Sequence, residues 1–364
     1  MFPVLLAASL ALSAPQSRWA VPEPAGRDLL WLDPDQSALS GADNVIFLGA
    51  ALGRLEDRLL PVRLFRNENG PKRLASATYR LGKLFFLDLM PAAYLPVVQH
   101  EMFGHGYRAR QSGYMDIGYD LGIPPPYGLG GGSTSWSYPA SASRSLDEGL
   151  AMTIAGVEAT DILGQRLRGR FLQEGSMDYH AAFLYLFSAL GLANYLAATG
   201  SGETDESNDM VAYVMKLNRK AAFAAAGQNR IRLEDLESGS RLAFADPFLY
   251  LSAWTVLRYL FTGGTRWSYP AVPLGPVRYL PSLGYRLSPF GGQVLVENLA
   301  IWDKRSFNLR IAYGESGLGN SQGADLEGRN ILAWNGFALD AALDRKSTRL
   351  NSSHSDRSRM PSSA

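Results

Sequence analysis

Residues 99–106 read Gln-His-Glu-Met-Phe-Gly-His-Gly and hold two of the four histidines in this 364-residue chain. These histidines, His100 and His105, flank Glu101 in the pattern HExxGH. An apolar run at residues 94–98 precedes them, and titratable side chains are costly in such a setting unless a partner neutralises them. Neutral imidazoles bind Zn²⁺ directly, and a neighbouring carboxylate can take a proton from a metal-bound water. The segment therefore predicts a zinc site on His100 and His105, with Glu101 as the general base.

The five-residue spacing of the two histidines constrains the backbone between them. On an ideal α-helix such residues lie about 140° apart, too far for both imidazoles to reach one ion, whereas the common HExxH helix spaces its ligands by four residues. A single π-bulge absorbs the extra residue, and Gly104 is a permissive place for it. We therefore predict a helix at about residues 95–111, with Pro96 in its first turn and a bulge at residues 102–105.

A third ligand is expected on the next predicted helix, residues 146–171, in which Leu150, Ile154 and Val157 repeat at helical spacing. Glu158 lies four residues from both Ile154 and Ile162, so the pattern places it on the apolar stripe. A carboxylate there requires a cation or an ion-pair partner. We take Glu158 as the third ligand, and an ion pair with a buried arginine is the alternative.

Other polar residues are weaker candidates for the zinc site. Glu148 is the alternative ligand, although a carboxylate near a helix start also stabilises the macrodipole. Asp161 could hold the second nitrogen of a ligating histidine. His180 is expected to be a structural histidine rather than a fourth ligand. Tyr107 and Arg108 could bind an oxyanion, although exposed helix positions are the default interpretation.

The hexapeptide at residues 100–105 resembles the HExxGH signature of the dipeptidyl peptidase III type of zinc metallopeptidase. That family belongs to the gluzincins, in which a glutamate on a following helix supplies the third ligand. The resemblance covers the motif and the one downstream helix, and Val157 stands where the family's second motif has the first of two adjacent glutamates. It implies Zn²⁺ as cofactor, a peptide or protein as substrate, and cleavage of the peptide bond by a zinc-bound water that Glu101 activates.

Both ends of the chain differ from the rest in composition. Residues 2–12 are apolar and small residues follow, which is typical of a signal peptide over residues 1–14, although the segment lacks Lys and Arg and a buried helix is the alternative. We therefore expect export, to the periplasm or outer membrane of a bacterium. Residues 345–364 are rich in Ser and Arg and have no apolar periodicity, so we interpret them as a non-native tail. The chain has no cysteine, which excludes a thiolate metal site.

Between these ends the amino-acid composition and the hydrophobic pattern change near residue 265. Residues 15–265 are predicted to form a helical zinc-hydrolase domain. Residues 266–344 are rich in Pro and Gly, and residues 307–313 alternate with period two, as in a β-strand. The predicted fold class is α+β: a mainly α-helical metallohydrolase domain followed by a β-rich, truncated C-terminal part. Such alternating strands also suit an outer-membrane barrel.

Two connecting segments have a composition of their own. Residues 113–138 are rich in Gly and Pro and predict a loop, either a lid or edge beside a cleft or a surface connector. Residues 201–209 form a polar loop that could bind calcium, although a solvated turn is favoured because the spacing matches no calcium loop. Its carboxylates are Glu203, Asp205, Glu206 and Asp209.

Composition and motifs exclude several classes of function. The net charge is +1 and no basic stripe is present, so no nucleic-acid partner is expected. The sequence has no P-loop, nucleophile elbow or dinucleotide fingerprint. An exported zinc metallopeptidase is the favoured hypothesis. The alternatives are a membrane-embedded zinc protease, suggested by the uncharged run at residues 181–198, and a non-enzymatic envelope protein with a structural metal clip and an outer-membrane β part.

Overall fold

The computed structural model describes residues 30, 33–138, 145–200, 203–224, 231–269, 272–303, 305–316, 319–334 and 337–350. Helices dominate up to residue 262, and an antiparallel sheet follows, so the predicted α+β class is confirmed. The predicted signal peptide, residues 1–14, and residues 351–364 of the predicted tail lie outside the described residues.

Helices form the larger part of the fold. Two π-helical segments, Leu84–Asp88 and Glu101–His105, connect three of them into one continuous helix over Pro71–Gln111. A 3₁₀ turn, Arg241–Ala245, precedes the last helix. In chain order the α-helices are α1 (Ala38–Leu59), α2 (Pro71–Lys83), α3 (Leu89–His100), α4 (Gly106–Gln111), α5 (Leu146–Glu174), α6 (Tyr179–Ala189), α7 (Gly191–Thr199), α8 (Asp209–Ala224), α9 (Leu233–Ser240) and α10 (Pro247–Thr262).

The strands form three antiparallel sheets. A hairpin pairs β1 (Met115–Leu121) with β2 (Gly132–Ser137), and a short pair joins β3 (Met177–Asp178) to β4 (Arg266–Trp267). The third sheet has the order β10-β9-β8-β7-β6-β5. Its strands are β5 (Val272–Leu274), β6 (Val277–Ser288), β7 (Gly291–Trp302), β8 (Arg305–Ser316), β9 (Gly319–Trp334) and β10 (Phe337–Leu350).

The predicted start of the motif helix was wrong. The motif helix begins at Pro71 rather than near residue 95, and Pro96 lies inside α3 instead of in a first turn. Proline there removes one backbone hydrogen bond, but α3 is held by packing, since Leu95 is buried in the core. The apolar run at residues 181–198 is broken into α6 and α7, which are bent by 43°. Strand β10 extends to Leu350, so residues 345–350 of the predicted tail pair with β9.

Helix α5 is the central element because each half of it lies in a different core. Its C-terminal half packs Leu163, Leu167 and Phe171 against α1, α6, α10 and the strands β6 and β7. Its N-terminal half packs Leu150 and Ile154 against α7, α8 and α9. The predicted helix at residues 146–171 is confirmed, with the Ser145 side chain accepting a hydrogen bond from the Glu148 amide at its start. Burial of apolar side chains along its whole length explains why α5 is the longest single α-helix described.

A buried arginine on α5 connects the helices to the sheet. The Arg168 guanidinium pairs with the Glu297 carboxylate on β7, lies 3.6 Å from Asp246 Oδ2, and donates to the Tyr185 hydroxyl at 3.1 Å. Arg168 and Glu297 are 8% and 3% exposed, so neither charge is solvated by bulk water. Each charge therefore depends on the other for its neutralisation.

We expect Arg168→Met to lower the free energy of unfolding by about 3–5 kcal/mol, because it leaves the Glu297 carboxylate buried without its partner. Urea denaturation followed by circular dichroism measures this. Arg241→Met is the matched control: the Arg241 side chain is 68% exposed and pairs with Glu237 one turn away, so its loss should cost less than about 1 kcal/mol. Equal effects of the two substitutions would contradict the role given to Arg168.

Candidate metal centre

Three side chains from two distant parts of the chain meet at one point. His105 Nε2 lies 3.0 Å and His100 Nε2 lies 3.3 Å from Asp209 Oδ2, and the two ring nitrogens are 3.2 Å apart. The three residues form a group able to hold a metal ion. Ligand atoms about 2.0–2.1 Å from a tetrahedral Zn²⁺ lie roughly 3.3 Å from each other, so the spacing fits such an ion.

The π-helical segment Glu101–His105 produces this convergence, and it confirms the predicted bulge. The Gly106 amide bonds to the Glu101 carbonyl, five residues back, as a π-helix requires. The two imidazole rings consequently lie on one face, with centroids 5.0 Å apart.

Two glycines allow α5 to pass directly beside this segment. A Cβ on Gly104 would lie 2.6 Å from Gly156 Cα, and a Cβ on Gly156 would lie 2.2 Å from His100 Nε2. Both distances are far below van der Waals contact. The glycine of the motif is therefore explained by close approach of two helix backbones as well as by the bulge.

Asp209 is positioned at the first residue of α8. The side chain of Asn208 accepts a hydrogen bond from the Met210 amide at 2.9 Å and so orders the start of the helix. The Tyr195 hydroxyl on α7 accepts from the Asp209 amide at 3.2 Å and donates to Asp209 Oδ2 at 3.4 Å. Tyr195 therefore orients the carboxylate toward the histidines.

The orientation of His105 also suits a metal ligand. Its Nδ1 lies 2.9 Å from the Met152 carbonyl oxygen on α5. A carbonyl only accepts, so Nδ1 carries the proton and donates it. Nε2 is then the nitrogen with a free lone pair in the neutral ring, and it points at Asp209 and His100. In zinc-binding histidines, the ring nitrogen that does not bind the metal commonly donates such a hydrogen bond, which orients the ring.

The electrostatics of the cluster favour a cation. Burial by itself would raise the pKa of the Asp209 carboxyl, but His105 and His100 outweigh it and lower that pKa well below its usual value. Burial alone would lower the pKa of His105, but the Asp209 carboxylate outweighs it and raises that pKa. Both shifts express a preference for positive charge beside Asp209, which a bound divalent metal would also satisfy.

Glu101 lies under the hairpin β1–β2. The Thr134 hydroxyl on β2 donates to Glu101 Oε2 at 2.7 Å, and a Cβ on Gly132 would lie 2.8 Å from Glu101 Cγ. The side chain of Glu101 is nearly buried, at 5% exposure. The segment predicted as a loop is thus mostly a hairpin, and its second strand forms one wall beside the motif.

The structure does not bring Glu158 to the histidines, which corrects its assignment as the third ligand. Glu158 Oε2 pairs with Arg108 Nη2 at 3.0 Å, and its side chain is 46% exposed. Gly156 is the residue of α5 that faces His100, and a position two residues further lies about 200° around the helix. The alternative prediction, an ion pair of Glu158 with a buried arginine, agrees better with the structure, although Arg108 is partly exposed.

The remaining candidates also lie elsewhere. Glu148 accepts from the Tyr114 hydroxyl at 3.0 Å, and Asp161 accepts from the Gln165 side chain at 2.8 Å. His180 Nδ1 lies 3.3 Å from Asp178 Oδ1 in a separate polar cluster. Tyr107 accepts from the Gln111 side chain at 2.5 Å. None of these residues belongs to the group formed by the two histidines and Asp209.

The sequence pattern predicts Asp209 in a solvated acidic turn, whereas the structure brings it to the site. Glu203, Asp205 and Glu206 are exposed, as that interpretation predicts. Asp209 differs because it is followed directly by the buried residues Met210 and Val211. An acidic residue at a helix start has an ordinary macrodipole explanation, so this signal alone does not distinguish a ligand.

Comparison with known proteins gives no family for this chain: no family model, curated protein or solved structure matches it. The resemblance to the HExxGH metallopeptidases therefore stays a prediction from the motif. Function has to be argued from the residues of the site.

We expect Asp209→Asn to weaken zinc binding by roughly 10- to 100-fold or more, because the amide removes the negative charge and ligand strength of the carboxylate. Competition titration with a chromogenic chelator measures the affinity. Glu158→Gln removes a carboxylate that the structure places outside the group, so it should leave the affinity unchanged. The reverse order of effects would restore Glu158 as the ligand.

Gly156→Ala should abolish zinc binding, because its Cβ would occupy the position of His100 Nε2. Gly169→Ala, in the same helix, is the control: a Cβ there meets no atom within 4 Å, and the change should stabilise the helix by about 0.5–1 kcal/mol. Zinc content and the urea midpoint are measured for both. Full zinc occupancy in a folded Gly156→Ala protein would contradict the described contact.

Proposed function

We propose that this chain is a zinc-dependent hydrolase, and more specifically a metallopeptidase. The observation that carries the proposal is the convergence of His100, His105 and Asp209 at one point. Glu101, which follows His100 in the sequence, adds a nearly buried carboxylate. Two histidines and a carboxylate are a donor set that zinc accepts, and three protein ligands are the number found in catalytic zinc sites.

The chemistry divides between the ion and Glu101. Zinc, when bound, supplies Lewis acidity: it lowers the pKa of a water ligand and polarises a carbonyl. Glu101 accepts the proton of the attacking water and passes it to the departing amine. The Thr134 hydroxyl occupies one lone pair of Glu101 Oε2 at 2.7 Å, which fixes the orientation of the carboxylate and leaves Oε1 to hold the proton.

The hairpin beside Glu101 supports a peptide as the substrate. Among the described residues β1 and β2 form a two-stranded sheet, so each strand has an edge without a strand partner. An extended peptide can pair with such an edge through backbone hydrogen bonds, which bind a chain with little regard for its side chains. A peptide paired with β2 would run past Thr134 and Glu101.

Two other functions remain open as proposals. A structural metal clip is favoured by the Tyr195 hydroxyl, which lies 3.4 Å from Asp209 Oδ2 and could close a four-ligand shell. A membrane-embedded protease is favoured by the helix Pro71–Gln111, which carries a window of mean hydropathy 1.5 that is only 28% buried. Core helices of soluble proteins share this length and composition.

We expect Glu101→Gln to keep stoichiometric zinc and to lose hydrolysis of an unstructured protein substrate by about 10²- to 10⁴-fold, because the amide cannot take the proton. The assay is cleavage of fluorescently labelled casein, with zinc measured by atomic absorption. Glu148→Gln, which alters a carboxylate outside the site, should keep both properties. Undiminished hydrolysis by zinc-loaded Glu101→Gln would refute the role of Glu101, and an inactive zinc-loaded wild type would favour the structural clip.

A further inference from the structure

From Leu74 to Lys83, helix α2 has the reverse of the polarity expected for a surface helix of a water-soluble protein. Its polar side chains Arg80 and Lys83 are buried, at 0% and 4% exposure, whereas Leu74 and Leu81 are 71% and 55% exposed. Soluble surface helices place apolar residues inward and charged residues outward. Polar groups directed inward and apolar groups directed outward are expected where the surrounding medium is lipid.

The buried charges of α2 are neutralised within the protein, so this arrangement is a built feature of the fold. Arg80 donates to the Leu260 carbonyl at 2.8 Å and pairs with Glu68 at 3.0 Å. Lys83 pairs with Glu56 and lies 3.3 Å from Asp88 Oδ1. Both buried charges of α2 therefore have partners of opposite charge on its inward side.

Further exposed apolar side chains lie on the segments next to α2. Phe85, in the π-helical segment after α2, is 50% exposed, and Phe261 at the end of α10 is 59% exposed. The α1–α2 connection packs beside the end of α10, because Arg63 donates to the Thr262 carbonyl at 3.0 Å. We call the following set the apolar face: Leu59, Leu64, Leu74, Leu81, Phe85 and Phe261.

Positive charge is concentrated in the segments that carry the apolar face. Five exposed basic residues lie in the last turn of α1, the α1–α2 connection and the first turn of α2, and we call them the basic collar. Of the three acids in residues 56–73, Glu56 and Glu68 are engaged by the buried Lys83 and Arg80, and Asp57 is exposed, so the five basic residues outnumber the free acid. The collar consists of Arg58, Arg63, Arg66, Lys72 and Arg73.

We propose that the apolar face and the basic collar together dock on an anionic lipid bilayer. The collar would meet the negatively charged headgroups, and the leucines and phenylalanines would enter the boundary between headgroups and acyl chains. Apolar area and electrostatic attraction add in such binding, and each Lys or Arg near an anionic surface contributes about five-fold to the affinity. The proposal does not depend on the metal centre.

The experiment is flotation of the purified full chain with vesicles of phosphatidylcholine alone or with about one third phosphatidylglycerol. We expect binding to the anionic vesicles that weakens as salt is raised, because salt screens the collar. Arg58→Gln/Arg66→Gln should weaken binding roughly 25-fold. Arg219→Gln/Arg241→Gln is the matched control, since it removes the same charge from exposed positions on other helical segments and should change binding much less.

The apolar face is tested by Leu81→Gln/Phe85→Gln, which should weaken binding at least about ten-fold for each residue. Ile311→Gln, at a 47% exposed position on strand β8, is the control and should have no effect. Circular dichroism and the urea midpoint show that each variant is folded.

Four results would overturn the proposal. The first is an absence of binding to either vesicle. The second is binding that survives both paired substitutions, which another part of the chain would then carry. The third is a loss caused by Ile311→Gln instead. The fourth is a loss of self-association, measured by analytical ultracentrifugation, in Leu81→Gln/Phe85→Gln without any change in vesicle binding; a second copy of the chain would then cover the face.

Discussion

The candidate site depends on one contact, the approach of the π-helical segment Glu101–His105 to α5 at Gly104 and Gly156. A side chain on either glycine would collide with the other helix or with His100. The contact brings the Met152 carbonyl within 2.9 Å of His105 Nδ1, which sets the tautomer of that ring. The five-residue spacing of the histidines and the glycine between them thus serve one geometry: the bulge turns the rings to the same side, and the glycine makes room for α5.

Helix α5 also determines which carboxylate reaches the site. Its N-terminal half shares a core with α7 and α8, and this packing carries Tyr195 and Asp209 to the histidines. Glu158 is on α5 itself. However, the side of α5 that faces the histidines can carry no side chain at the point of contact, because α5 packs directly against the π-helical segment there. A carboxylate on that side would displace the ring that it was expected to assist. The close contact therefore requires the third ligand to come from another element.

The sequence predicted the parts of this arrangement that follow from local spacing. The bulge could be derived because two ligands five residues apart cannot share a face of a regular helix, and α5 could be derived from its apolar repeat. Asp209 could not, because it lies 104 residues beyond His105 and its local signal, an acid at a helix start, has an ordinary explanation. The prediction for Glu158 assumed that the apolar stripe continues through residue 158, whereas the structure exposes that position. Long-range packing decided both outcomes.

The continuous helix Pro71–Gln111 contains two π-helical segments, and each brings two side chains five residues apart into contact. Lys83 and Asp88 are five residues apart across the π-helical segment Leu84–Asp88, as His100 and His105 are across the second one, and their side chains meet at 3.3 Å. In the first cluster the Lys83 ammonium lies among Glu56, Asp88 and the Tyr179 hydroxyl, so one positive charge stands beside two carboxylates. The two carboxylates and His180 also lie close enough together to hold a metal ion. In the second, two imidazoles and one carboxylate converge with no lysine or arginine among them. Since the backbone geometry is shared, the side chains decide the difference: the first cluster already holds the Lys83 ammonium, whereas the second contains only ligand-type side chains and is suited to a cation from solution.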